Sequence, residues 1–199
     1  MLNITPDYVT ETVAPAAEPV SRTEAKLHLR VDVTSDDTLI DVLIKAAREY
    51  VEKYTGRAFV RRTLRADLPY FCDSIRLPHS PIISISSVKY YNTDSPSVLT
   101  TLAATNYELS RDVLSRAYAG TWPAVDSRLN AVQITYLAGY ASPSSPEVLA
   151  ENVPAAVKAS MLLVIGDLYE NREGQIIFPG AIQENKTVPR LLDPYRVYS

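Results

Sequence analysis

The chain has 199 residues, a net charge of −3, 46% hydrophobic and 22% charged residues, the balance of a globular protein with one sizeable core or two small ones. With no basic excess, a dedicated nucleic-acid binder is disfavoured. One cysteine and two histidines exclude an internal disulfide framework and leave little for a zinc site.

Residues 1–20 carry Pro6, Pro15 and Pro19, show no helical period, and lack the basic start and apolar stretch of a signal peptide. The expectation is an extended arm, ordered only where something holds it, on a soluble protein made in the cytoplasm. SRTE at 21–24 is a capping box that opens a short helix through AKLHLRV. In TSDD, Ser35 is the expected N-cap of the next helix, with Asp36 and Asp37 favoured by its positive end. From 36 to about 54, Leu39, Ile40, Leu43, Ile44, Ala47, Tyr50, Val51 and Tyr54 fall on one helical face. Asp41/Lys45 and Glu49/Lys53 are spaced as pairs on the other side, and Gly56 ends the helix.

Between 57 and 141 the period changes from 3.6 to 2. FVRRTLRADL, SIRLP, ISSVKYYN, NYELS and AVQITYLAGY read as strands between turn residues, and Val132, Ile134 and Tyr136 share one face. At 142 SPSSPE opens a loop. Asn152 is the expected cap of a helix over about 154–171, with Pro154 in its first turn. That helix contains MLLVI at 161–165, the longest purely apolar run of the chain, far short of the roughly 20 residues a bilayer span needs. It is apolar nearly all round, so it must be covered on more than one side, most easily by a neighbouring subunit. GDLYENREG at 166–174 closes it. A long connection, QIIFPGAIQENKT at 175–187, carries Ile176, Ile177, Phe178 and Ile182, and apolar loops of that length usually touch something. A short helix at VPRLL leads into DPYRVYS.

The expected fold class is therefore α+β. The arm 1–20 precedes a helical domain built from 21–56 and from 142–199 with its C-terminal tail; an antiparallel β-sheet or barrel-like domain, 57–141, is inserted between those two parts.

Catalytic patterns are missing. There is no GxSxG, no phosphate-binding loop, no dinucleotide fingerprint and no HExxH. His28 and His79 read as one packed and one turn histidine. Cys72 reads as a structural thiol, since no basic neighbour in sequence lowers its pKa. Asp32, Asp36 and Asp37 fit helix capping better than a metal loop, because the glycine pivot and bidentate glutamate of a calcium loop are absent. Glu170 and Glu173 around Arg172 sit at a helix C-terminus, where negative charge wants a compensating partner. Arg61 and Arg65 share one strand face and Arg62 points the other way, too few for a DNA footprint. The 13 tyrosines, against 3 phenylalanines and 1 tryptophan, suit protein contacts. Tyr195, Arg196 and Tyr198, in a segment prone to fray, point to docking on a partner or folding back onto the chain's own core.

TEAKLHLRVD, DDTLIDVLIKAAREYVEKYTGRAF, IRLPHSPIISISSVKYYN, AVQITYLAGY, VPAAVKASMLLVIGDLYENREG and LLDPYRVY, in this order, resemble the head–tail connector, or adaptor, proteins of long-tailed bacteriophages and related prophages. The likeness runs over about 20–199. The resemblance implies a non-enzymatic virion protein of the neck, assembled in the host cytoplasm, without cofactor, metal or membrane. It implies a ring, typically a dodecamer, beneath the portal protein, with a stopper or tail-completion protein on the opposite side. Double-stranded DNA passes through the lumen without sequence reading. On this view Tyr195, Arg196 and Tyr198 anchor the tail on the portal. Tyr169, Glu170, Arg172, Glu173, Ile176, Ile177 and Phe178 belong to the subunit or portal interface. Another tail-completion ring protein is the alternative, and more remotely a small metal-dependent hydrolase or nuclease using Asp32, Asp36, Asp37 or Glu170.

Overall fold

A computed structural model describes residues 3–6, 8–140, 152–171 and 186–197. In chain order the described elements are strands β1 (Asn3–Ile4) and β2 (Tyr8–Val13), helices α1 (Arg22–Leu29) and α2 (Asp37–Thr55), and strands β3 (Arg62–Leu68), β4 (Ser74–Arg76), β5 (Ile82–Tyr91), β6 (Leu99–Thr101), β7 (Tyr107–Ser110), β8 (Val113–Arg116) and β9 (Val132–Ala138). Helices α3 (Ala155–Glu170) and α4 (Thr187–Leu192) follow. The two hydrophobic periods of the sequence become two apolar cores, one among the helices and one among the strands. The mixed α+β class is as expected.

Ser21 opens α1 with the full capping box. Its hydroxyl accepts from the Glu24 N–H at 3.2 Å, and the Glu24 carboxylate accepts from the Ser21 N–H at 2.7 Å. The Ser21 N–H and hydroxyl hold the Glu24 carboxyl below the usual carboxylate range. On α2 the buried stripe is Ile40, Ile44, Ala47 and Val51, the i, i+4, i+7, i+11 spacing of one helical face. Gly56 takes φ +70° at its C-terminus, and its N–H donates to the Glu52 carbonyl at 2.8 Å. Two local expectations change. Asp36, not Ser35, stands at the N-cap and makes no side-chain capping bond, because its carboxylate is engaged by Tyr169 instead. Pro154, in extended conformation, occupies the N-cap of α3, which leaves Asn152 two residues short of that position. Asp41 takes a partner outside its own helix: Arg22 Nε of α1, at 2.8 Å.

The strands form two sheets. One has five strands in the order β2-β3-β9-β5-β6, all antiparallel; the other has four in the order β1-β4-β8-β7, in which β1 and β4 run parallel. The pairing of β3 with β9 sets Leu64 opposite Tyr136, Ala66 opposite Ile134 and Leu68 opposite Val132. All six are buried, so the strict alternation of both strands turns one continuous face into the core. The arm is held: β2 is an edge strand on β3. β6 and β8 are additional to the strands expected from the sequence.

The junction between the two cores is ionic. Glu52, at the inner face of α2 and 7% exposed, accepts from Arg48 Nη1 at 2.9 Å, from the Phe59 N–H at 2.9 Å, and from the Arg62 guanidinium of β3. Arg48 Nε continues to Glu18 at 2.8 Å, and Arg62 Nη1 to Glu11 of β2 at 3.1 Å. Helix, sheet and arm thus share one charge-compensated cluster.

Glu52→Ala removes the carboxylate shared by Arg48 and Arg62, leaving Arg48 to Glu18 and Arg62 to Glu11, and the acceptor of the Phe59 N–H. Chemical denaturation is expected to register a loss of about 3–5 kcal/mol. A second expectation concerns alkaline pH. Tyr136 is fully buried and its hydroxyl donates to the Pro78 carbonyl at 3.1 Å; burial pushes its pKa well above the ordinary value. Below pH about 10 the phenol is neutral folded or unfolded; above it only the unfolded chain releases the proton. Stability should therefore fall as pH rises beyond about 10, and Tyr136→Phe should show a shallower alkaline decline.

Candidate functional site

The helix that is apolar nearly all round settles into two environments. Val157, Met161 and Ile165 of α3 are buried with Ile40, Ile44, Ala47 and Val51 of α2. Ser160 is buried too, and its hydroxyl donates to the Ala156 carbonyl at 2.8 Å, which satisfies it within the helix. The other flank is different. Leu163, Val164 and Leu168 line a groove of about 460 Å³ together with Ala46 and Tyr50 of α2 and Val188 and Pro189 of α4. Leu168 is 39% and Tyr50 47% exposed. Among the described residues this apolar flank stays open, with Asp167 and Lys186 at its edge.

Tyr169, the last residue but one of α3, donates its hydroxyl to Asp36 Oδ2 at 2.5 Å, a charge-assisted bond that pins the end of α3 to the start of α2. Glu170 is exposed as the last residue of α3. Arg172, Glu173, Ile176, Ile177 and Phe178 lie outside the described residues.

The C-terminal segment lies across the end of α2. Tyr54 donates its hydroxyl to Asp193 Oδ1 at 2.7 Å; Arg57 Nε donates to the Tyr195 carbonyl at 2.5 Å; the Val197 N–H donates to the Thr55 carbonyl at 2.8 Å. Tyr195 is half-buried against the helical core, and the Arg196 guanidinium stands 5.3 Å from the Tyr54 ring centre. A side chain at Gly56 would touch Val197 only at ordinary contact distance, so its φ of +70° and not the strap is what favours glycine there. Of the two readings of the tail, the described part folds back on its own chain, with Arg196 exposed on the outer side. Tyr198 lies outside the described residues.

The candidate chemical residues are engaged elsewhere or apart. Asp37 pairs with Lys26 at 2.7 Å and Arg22 at 3.4 Å, Asp36 with Tyr169, and Asp32 is exposed. Among the described residues no group of three or more histidine, cysteine, aspartate or glutamate side chains is arranged to hold a metal ion, and no helix is long and apolar enough to cross a membrane. Cys72 is buried, and burial with the neighbouring Asp73 pushes its thiol up. His28 is exposed rather than packed, with its ring beside Gly166 of α3; His79 does sit in a turn, at φ +62°. Arg57, a strap-holding residue, carried no signal in the sequence because its partners lie 23 and 138 positions away.

Residues 23–110, from α1 to the end of β7, match the family of phage gp6-like head-tail connector proteins. Over 96% of both chains, the fold is similar to that of a chain in the neck of an empty gene transfer agent particle computed with C6 symmetry, at 20% identity and a TM-score of 0.77. Chains of the native gene transfer agent virion (20% identity, TM-score 0.75) and of its neck computed with C12 symmetry (21%, 0.71) are similar over the same 96% of both partners. No curated protein sequence matches the chain.

Arg57→Ala removes the guanidinium that grips the Tyr195 carbonyl. Limited proteolysis should then cut the C-terminal segment faster than in the parent chain, while the helical and sheet cores keep their protection.

Proposed function

We propose, on the premise that residues 23–110 carry the sequence signature of the head–tail connector family, that this chain is a structural connector (adaptor) subunit of a phage-like virion neck. That match is the observation that carries the reading. The fold shared along almost the whole chain with gene transfer agent neck proteins supports it, and so does the open apolar flank of α3. A flank of this kind, with Leu168 and Tyr50 at its mouth, is what a subunit offers to a copy of itself or to a neighbour.

In this reading the subunits stand side by side in a ring, a dodecamer in keeping with the sixfold and twelvefold symmetry used for the similar necks. The ring surrounds the exit channel for double-stranded DNA, and the small negative charge of the chain lets DNA slide without holding it. The portal protein lies on one side and a stopper or tail-completion protein on the other. The groove of α2, α3 and α4 takes an adjacent subunit. Tyr169, Glu170, Arg172, Glu173, Ile176, Ile177 and Phe178 contribute to subunit or portal contacts. Tyr195 and Arg196, on the strap over α2, and Tyr198 contribute to the contact with the portal. The role is assembly and passage, with no catalytic turnover.

The test is the mass in solution and the electron-microscope appearance of the purified chain, alone and mixed with its portal protein. Rings, alone or on the portal, are expected. Leu168→Glu should keep the melting temperature near that of the parent, because the residue is surface-exposed, yet abolish ring formation. A chain that stays monomeric with and without the portal overturns the reading.

A further inference from the structure

Away from the apolar groove, on the side where the strap meets the sheets, two adjoining cavities of about 350 and 370 Å³ share Ser80 and Asp112 in their walls. Together they make one cleft whose rim carries Arg57, Arg76, His79 and Arg111. Its floor is apolar, formed by Leu77, Pro78 and Val197. Three arginines against one aspartate leave a local excess of positive charge in a chain whose net charge is −3. Arg57 is committed to the strap and to Ser80. Among the described residues the side chains of Arg76, Arg111 and Asp112 make no hydrogen bond or ion pair.

The backbone around the cleft carries a second, independent signal. Among the described residues, three other than glycine have positive φ: Arg30, His79 and Arg111. Arg30 is accounted for as the left-handed C-cap of α1. The other two both stand on the rim of this cleft, at φ +62° and +58°. Arg111 begins the two-residue turn between β7 and β8, where glycine or asparagine is the ordinary choice at positive φ. The turn explains the conformation and not the arginine. A bulky residue kept in a costly conformation, its charge without a partner, is a mark of a contact site.

We infer that this cleft is a docking site for an acidic segment of a partner polypeptide, a carboxylate side chain next to an apolar one. The rim arginines take the carboxylate, for which the planar guanidinium fork is the best-matched donor. The apolar side chain lies on Leu77, Pro78 and Val197. The free Asp112 carboxylate accepts a backbone N–H of the segment and so sets its register. A nucleic-acid duplex fits this chemistry poorly, since its phosphates need an open basic surface and make no use of an apolar floor. The inference stands apart from the connector reading, because it is argued from the cleft's own residues and tested on the chain alone.

The probe is a fluorescently labelled peptide of alternating glutamate and leucine, with a lysine–leucine peptide as control, titrated against the full chain. Binding of the acidic peptide that weakens with added salt is expected. Arg76→Glu and Arg111→Gly should each weaken it about tenfold or more. Arg111→Gly is the decisive variant: removing the side chain relieves the positive φ, so its melting temperature should hold or rise while binding falls. The inference is overturned if the acidic peptide does not bind, if Arg111→Gly binds it as tightly as the parent, or if the lysine peptide binds equally well. It is also overturned if a duplex oligonucleotide displaces the peptide and responds to the same substitutions, which would reassign the cleft to nucleic acid.

Discussion

The cluster centred on Glu52 is what makes one molecule of two cores. The helical core and the sheet core each bury their own apolar side chains, and neither needs the other for that. Their relative placement depends on a carboxylate at the end of α2 that accepts from Arg48 of its own helix, from Arg62 of β3 and from the Phe59 N–H. Such a cluster adds little net stability over apolar packing but tolerates no missing member. It also draws in Glu11 of β2 and Glu18, so β2 and the chain leading into α1 are tied to the same charges that fix the sheet on the helices.

On that frame the two ends of the helical core present different surfaces. The α2–α3–α4 side offers apolar area and few charges, suited to close packing against another subunit. The strap side offers a cleft with arginines above an apolar floor, suited to a segment that arrives with charge. The first kind of surface favours permanent association through buried area. The second favours orientation and fast encounter through complementary charge.

Much of the helical part was legible from residue spacing. The capping box at Ser21 and Glu24, the buried stripe of α2 and the glycine stop at Gly56 all depend on residues within a turn or two of each other. The same is true of β3 and β9, whose alternation places Leu64, Ala66, Val132 and Ile134 inward. Strands β6 and β8 were not legible, and neither were the helix caps at Asp36 and Pro154, where a tertiary contact or a single backbone angle outweighed local preference. The surface residues of α3 were foreseen as a class, because a helix without a polar face must be covered twice. Which of them lie in the open groove was not.

By itself the sequence determined the helices, strands β3, β4, β5, β7 and β9, the two hydrophobic periods, the lack of catalytic patterns and the family likeness, all of which are written in local order along the chain. Only the tertiary structure decided that the arm is a sheet strand, that Arg62 reaches Glu52, that the tail straps α2 through Arg57, and that Arg76 and Arg111 rim one cleft. These pairings join positions far apart in the chain, and local periodicity carries no information about which distant charges will meet once the two cores are formed.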